Sequence, residues 1–499
     1  MNPTRPNILL VTTDTSRWDT LGCYGSEHAV SPHLDRLAEE GVLFEQAHTN
    51  ATVCMPARCS ILTGTHTPVH GCLENGIDPI AGLTPFTDLL AEAGYTNIMV
   101  GKTHFGAIPD SFHVQRILAG EKGKDVEDFY AEHLRAHGYS RATQFPNPVP
   151  EELFCEAFLV DTTIAEIETF RSENADSGSP FFAFCSMLSP HGPLDPPGRW
   201  ASLFDDRELP EINYRPGEVA ELPPHVRRHL GLLGREDDLP YFPGGLPDAA
   251  GIDARRRLYY GLAAYCDDQV GRLLRYLDET GLRSNTLVIF TSDHGQQYFD
   301  HGFDNKHTFY EASWRVPMII SMPGTLPEGL RQQFAMSTDV TATILAAAGQ
   351  DLATVQGYDL LDPLSRGQDA PRRCAVSVLY KSLALVTSRW KLEYYTEDGL
   401  GRLFDRQEDP LEQVDLYGDD DYRDVREALL EALLSWRADL SDVQQMQART
   451  STGGPVAVRV AAETMEMRGT DSEVRLDRRV EEIDARFGSA WAPAVSLAT

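Results

Sequence analysis

The chain has 499 residues, 42% hydrophobic and 24% charged, which suits a folded globular protein and excludes a disordered or low-complexity one. Its 44 basic and 75 acidic residues give a net charge of −31, so it is no general binder of nucleic acid or anionic membrane; a small anion needs only a local basic pocket. The opening MNPTRPNILLVTTD carries an apolar run too short for a secretion signal or membrane span, so a cytoplasmic protein is expected.

In chain order, NILLVTT (7–13) reads as a short buried strand, and SPHLDRLAEEG as a helix with Leu34 and Leu37 on one face and a stop at Gly41. FTDLLAEAG before YTNIMVG repeats the helix-then-strand order. PFFAFCSML (180–188) and NTLVIFTS (285–292) read as buried strands. Between them RRRLYYGLAAYCDDQVGRLLRYLDETG is a long helix with Val270, Leu273, Leu274 and Leu277 on one face. Nearly all-apolar strands alternating with helices predict an α/β fold, a mostly parallel central sheet sandwiched by helices. From Ala370 the runs CAVSVLY, SLALVTS, WKLEYYT and GRLFD, then the helical DVREALLEALLSWRADL, predict a smaller C-terminal α+β domain on an antiparallel sheet. The expected divisions are a catalytic domain over 1–368, the small domain over 369–445 and a C-terminal arm over 446–499. The arm either touches a partner subunit, leaving a homodimer or homotetramer open, or packs on its own chain. Two stretches, 105–155 and 192–250, are rich in Pro, Gly and charge and read as lids or binding loops.

Open α/β sheets carry their ligand crevice at the carboxyl ends of the strands, and four predicted strands here run out into chemistry. The first ends at Asp14; NIMV leads to Lys102 and His104; FFAFCSML leads to His191; LVIF leads to Asp293 and His294. Asp14, Asp293 and His294 offer two carboxylates and an imidazole, a set for a divalent cation that prefers oxygen and tolerates nitrogen. Calcium or manganese fits better than zinc, which would call for more His or thiolate ligands. The bland alternative has Asp293 capping a turn with His294 packed above it; Gly295 is read as leaving backbone room for a ligand there. Lys102, His104, His191, Arg58 and Lys306 add donors and positive charge that an anion with several oxygens would explain, although Lys306 reads equally as a surface lysine. His66, His70, His301 and His307 are expected in hydrogen-bonded supporting roles.

The eight cysteines, at 23, 54, 59, 72, 155, 185, 266 and 374, form neither CxxC pairs nor a disulfide framework, and most are expected to be buried, inert thiols. Cys54 differs. In VCMPARCSILTG, Pro56 suits the first turn of a helix, which puts Cys54 at or beside a helix N-terminus. That position favours negative charge on the side chain or on a bound anion, leaving a reactive thiolate and a packing cysteine both open.

With these motifs in this order, from PNILLVTTD through CMPARCSILTG, GKTHFG, SPHGP and TSDHG to NKHTFYEASWRVPMII, the sequence resembles a type I sulfatase of the alkaline phosphatase-like superfamily. The resemblance continues into the small domain at SRWKLEYYT and LFDRQEDPLEQVDL. It implies that Cys54-Met-Pro-Ala-Arg58 is the signal for oxidising Cys54 to formylglycine by a formylglycine-generating enzyme. The aldehyde hydrate would serve as metal ligand and nucleophile, displacing the alcohol from a small-molecule sulfate ester and then expelling sulfate as its second hydroxyl is deprotonated. On the same analogy Asp14, Cys54, Asp293 and His294 hold one divalent metal ion, Ca²⁺ or Mn²⁺. Arg58 and Lys102 hold hydrate and sulfate, Lys306 binds sulfate near the leaving oxygen, His191 helps protonate that oxygen, and His104 is the base of the second step.

Two departures from the commonest sulfatase pattern stand out. Thr13 stands where many members have a further metal-binding aspartate, and His294 where many have asparagine. The same arrangement resembles choline sulfatases and phosphonate monoester hydrolases, so hydrolysis of phosphonate monoesters or phosphodiesters is the alternative activity. Lys102 and His104 match the sulfatase pair and favour sulfate. A non-catalytic anion-binding relative is the alternative from another class, and a plain cysteine hydrolase is served poorly by a metal site. Aryl, sugar and small alkyl sulfates all remain open as substrates.

Overall fold

The computed structural model describes residues 5–80, 82–118, 128–141, 146–175, 177–229, 249–451 and 470–488. An eight-stranded sheet has the order β4-β3-β5-β1-β6-β7-β2-β8. Its strands are β1 (Asn7–Asp14), β2 (Val42–His48), β3 (Thr96–Gly101), β4 (Val114–Ile117), β5 (Phe181–Pro190), β6 (Thr286–Ser292), β7 (Met318–Ser321) and β8 (Leu330–Met336). Only β7 runs antiparallel to its neighbours among these strands. The mostly parallel sheet expected from the alternation of strands and helices is therefore present.

Each central strand is apolar on both faces because both are covered. Leu9 and Val11 point into one buried cluster, which the helices Cys155–Glu173 and Ala249–Glu279 complete with Leu159, Ile167, Leu262 and Leu273. Ile8 and Leu10, one residue out of phase, point into the other, with Met55 and Cys59 of the helix Cys54–Thr63 and Ile344 of the helix Ser337–Ala347.

A separate four-stranded antiparallel meander, β9 (Ala375–Leu379), β10 (Ser382–Val386), β11 (Trp390–Tyr395) and β12 (Leu400–Asp405), is also as expected. The helix Arg423–Ser451 covers it, burying Leu429, Leu433 and Trp436. Strands β2, β7 and β8 escape the sequence pattern: VLFEQAH and LRQQFAM mix polar with apolar residues, and MIIS is short. Of the two stretches read as loops, the first contributes edge strand β4 and the helix Phe129–Ala136. Residues 119–127, 142–145 and 230–248 of those stretches lie outside the described residues.

The described part of the C-terminal tail, the helix Asp471–Phe487, packs on its own chain; Trp491 lies outside the described residues. Its Glu473 is buried and accepts hydrogen bonds from Arg372 Nη1 at 2.7 Å and Trp436 Nε1 at 2.7 Å, with His66 Nε2 at 3.0 Å. Arg372 in turn forks onto Asp339 at 2.8 and 2.6 Å. Burial alone would raise the Glu473 pKa, but His66 and Arg372 outweigh it and hold the carboxyl at about 2. This depressed pKa stabilises the fold fully above the carboxyl's unfolded value, and the contribution is lost as pH falls toward about 2. Removing one partner of a buried pair leaves the other charge uncompensated, so Glu473→Ala should cost about 3–5 kcal/mol in urea unfolding at neutral pH. A loss below about 1 kcal/mol, the range of an exposed pair, would contradict this account.

Candidate active site

Strands β3, β5, β1 and β6 are consecutive neighbours and all parallel, so their carboxyl ends open at one edge. This topology gathers Lys102 and His104 after β3, His191 after β5, Asp14 at the end of β1, and Asp293 and His294 after β6. The sequence-predicted residues thus come to one place. The helix Cys54–Thr63 begins beside them, with Val53 as its extended N-cap residue and Cys54 in its first turn. Asn75 Oδ1 accepts the Met55 N–H at 3.0 Å and so occupies one of the free amides of that turn.

Arg58 stands one turn along from Cys54 and is 3% exposed. Its Nε donates to Asp293 Oδ2 at 2.8 Å and its Nη2 to Asp14 Oδ2 at 3.2 Å. Nη1 donates to Ser186 Oγ at 2.8 Å and to the Lys102 carbonyl at 3.2 Å. Lys102 Nζ lies 2.7 Å from Asp14 Oδ2. Asp293 Oδ1 accepts the backbone N–H groups of His294 at 2.9 Å and Thr15 at 3.2 Å. Thr15 and His104 both adopt positive φ, 63° and 49°, a conformation costly for side-chain-bearing residues and frequent where a site fixes the backbone.

The Cys54 sulfur sits inside a ring of donors. Lys306 Nζ is 3.2 Å away and His294 Nε2 is 3.1 Å away; His104 and His191 also hydrogen-bond to it. Burial would push this thiol up, but the charges of Lys306, His294 and Lys102 and the His104 hydrogen bond bring it well below its ordinary value. Lys306 is therefore no surface lysine: it is 7% exposed and aimed at residue 54. Burial likewise acts to raise Asp14, yet Lys102, His191 and Arg58 hold it below the usual carboxylate range. Asp293 is pushed up by burial and by the Asp14 charge. Two carboxylates this close, one of them destabilised by the other, are what a bound cation would relieve.

The donor set fits a divalent ion. Ligand atoms of Asp14, Cys54, Asp293 and His294 all lie within 4.8 Å of one another and are buried. Asp14 Oδ1 is buried with no hydrogen-bond partner. His294 Nδ1 is 2.7 Å from the Gly295 carbonyl, which can only accept, so Nδ1 carries a proton and Nε2, the nitrogen facing residue 54, is the one that would coordinate a cation once it carries no proton. Gly295, by contrast, does not make room for a ligand: a Cβ there would stand 2.0 Å from the Ala312 carbonyl oxygen, so the glycine permits a close backbone approach. The supporting histidines behave as expected, His66 meeting Asn50 and Glu473, His70 Ser60, His301 Glu218 and His307 Glu74. Ser186, which anchors Arg58, reads in sequence as one more residue of a buried strand, and nothing in its surroundings there marks it.

Residues 6–350, well over half of the chain, match the sulfatase family model, and residues 299–439 match the N-sulphoglucosamine sulphohydrolase C-terminal model. The chain belongs to the sulfatase family, a class of sulfuric ester hydrolases. An arylsulfatase of Clostridium perfringens is 27% identical over 475 residues, covering 86% of this chain and 94% of that one. A choline-sulfatase of Rhizobium meliloti is 26% identical, covering 90% and 89%. The crystal structure of a phosphonate monoester hydrolase of Agrobacterium radiobacter superposes with a TM-score of 0.73 at 25% identity, covering 87% of this chain and 96% of that one. No helix among the described residues is long and apolar enough to cross a membrane.

Because Arg58 satisfies two buried carboxylates through a planar fork, lysine is not an equivalent replacement. Arg58→Lys should lower the stability of the metal-free protein by about 2–4 kcal/mol in denaturant titration, and an unchanged midpoint would contradict the reading of Arg58 as the organising cation.

Proposed function

We propose that the protein hydrolyses sulfate monoesters at residue 54, after Cys54 has been converted to formylglycine, with a divalent ion, calcium or manganese, held by Asp14, Asp293, His294 and residue 54. The observation that carries this reading is the Cys54 side chain, buried at a helix N-terminus and ringed by Lys306, His294 and Lys102. The ion would act as a Lewis acid and orient the nucleophile. The converted side chain supplies two hydroxyls, one to displace the alcohol from sulfur and one to release sulfate, which neither a thiol nor a serine offers.

The other residues act on charge and protons. Lys102 and Lys306 are cations fixed where negative charge gathers on the sulfuryl oxygens, and such preorganised charge is worth most in a dry site. His191 Nδ1 is 2.7 Å from the Gly192 carbonyl, so it carries the proton at that end. Its Nε2 is then the nitrogen turned to the reaction, and, when protonated, the donor to the departing alcohol. The Asp14 charge offsets the desolvation of the ring and raises the His191 pKa, which favours the protonated form. His104, which follows the neighbouring parallel strand β3, is the base for sulfate release.

Hydrolysis of phosphonate monoesters is the second reading, supported by the Asp14, Asp293 and His294 set and the likeness to the Agrobacterium enzyme. Lys102 and His104 beside Cys54 favour sulfate. A formylglycine-generating enzyme is the maturation partner this reading requires.

Paired assays of nitrophenyl sulfate and a phenylphosphonate monoester on converted, metal-loaded protein test the proposal. Faster turnover of the sulfate, abolished in a folded Cys54→Ala variant, is expected; faster turnover of the phosphonate would favour the second reading, and wild-type rates in Cys54→Ala would overturn both. His191→Ala should slow an alkyl sulfate about 100-fold more than nitrophenyl sulfate, whose alcohol leaves without a proton. An equal loss on the two esters would contradict the proton-donor role.

A further inference from the structure

Beyond His191, on the face of the sheet away from the Cys54 helix, lies a cavity of about 300 Å³. Its walls include Tyr130, Phe154, Leu188 and His191, and two acids, Glu156 and Asp195. Glu156 stands in the first turn of the helix Cys155–Glu173 and is 0% exposed. Its Oε1 accepts the Ser189 N–H at 2.9 Å, and its Oε2 is buried without a hydrogen-bond partner. Asp195 Oδ2 accepts one hydrogen bond, from Asn147 Nδ2 at 3.2 Å. Neither acid has an ion pair among the described residues. Of the two cationic groups on the wall, Arg141 has its charge met by Asp128 and lies 5.9 Å from the Tyr130 ring centroid, and His191 is engaged by Asp14 and the Cys54 sulfur.

The lining therefore carries an uncompensated pair of acids beside aromatic faces. Burial and the neighbouring Glu156 charge push the Asp195 carboxyl up to about 7, as expected for two acids sharing a desolvated site. A bound ammonium group would supply that missing charge, and its remaining surface would suit the Tyr130 and Phe154 rings. The volume is at the lower end of ligand pockets, enough for a small alcohol and too little for an oligosaccharide.

We propose that this cavity receives the alcohol portion of the substrate, and that Glu156 and Asp195 select small sulfate esters whose alcohol carries an ammonium group. The proposal rests on the sulfatase reading for its placement, since His191 is then both the wall of the cavity and the donor to the departing oxygen. An alcohol bound here has its oxygen at His191 and its cationic end toward the acids. Neither acid touches the reacting atoms; both determine specificity.

Calorimetric titration of the full-length, metal-loaded protein with choline, and with its uncharged isostere dimethylbutanol, reads the pocket without requiring turnover. Choline should bind about tenfold more tightly than the isostere, and the ratio should fall toward one in Asp195→Asn. Glu156→Gln, which keeps the shape and a hydrogen-bonding carbonyl for Ser189, should reduce the ratio in the same direction and serves if Asp195→Asn does not fold. Equal affinities in the wild type would overturn the proposal, as would a preference that neither substitution changes. The two readings fail separately. Choline preference in a fully converted protein that hydrolyses no sulfate ester would sink the sulfatase reading alone, whereas brisk aryl sulfate turnover with no choline preference would sink the pocket proposal alone.

Discussion

Two carboxylates, Asp14 and Asp293, are fully buried on neighbouring strand ends, and the pairing of both with Arg58 is the constraint on which the site depends. Each buried charge costs several kcal/mol unless it is paired and hydrogen-bonded. Arg58 meets both acids with one planar group, and Lys102 adds a second cation to Asp14 at 2.7 Å. Residue 54 lies four positions before Arg58, one helical turn away and on the same face. Anchoring the arginine on the acids therefore anchors the side chain at residue 54 over them. The spacing of Cys54 and Arg58 thus has a mechanical meaning.

The sheet order supplies the rest. Because β3, β5, β1 and β6 are adjacent and parallel, residues far apart in sequence leave the sheet at one edge without long excursions. The backbone at that edge is not relaxed: Thr15 and His104 sit at positive φ, and residues 298, 299, 301 and 307 do the same along the segment that delivers Lys306. Such conformations persist only when surrounding contacts over-determine them. Here the contacts are visible, in the Thr15 amide held by Asp293 and in the Lys306 amine held against residue 54.

Much of this was legible in the sequence, for identifiable reasons. All-apolar runs such as NILLVTT mark central parallel strands because both faces are buried, and the polar residue that follows each run marks the crevice. Where burial is one-sided or the strand short, as in β2, β7 and β8, the pattern blurs. Lys306 reads equally as a site cation or a surface lysine because its neighbours Asp304, Asn305 and His307 are polar; only the folding back of the segment, which buries it against residue 54, decides between the two. Gly295 pointed to a real close approach, but to the backbone of residue 312 instead of a ligand. Ser186 and the pairing of Glu156 with Asp195 were not legible, since each depends on a contact between elements distant in sequence.

The central claim is that residue 54 works as an aldehyde held by this ring of cations and acids. Its most direct test prepares the protein with graded amounts of formylglycine-generating enzyme, measures the converted fraction of the Cys54 peptide by mass spectrometry, and plots sulfate ester turnover against that fraction. The account predicts a straight line through the origin. Full turnover from protein whose Cys54 is entirely unconverted thiol would contradict it.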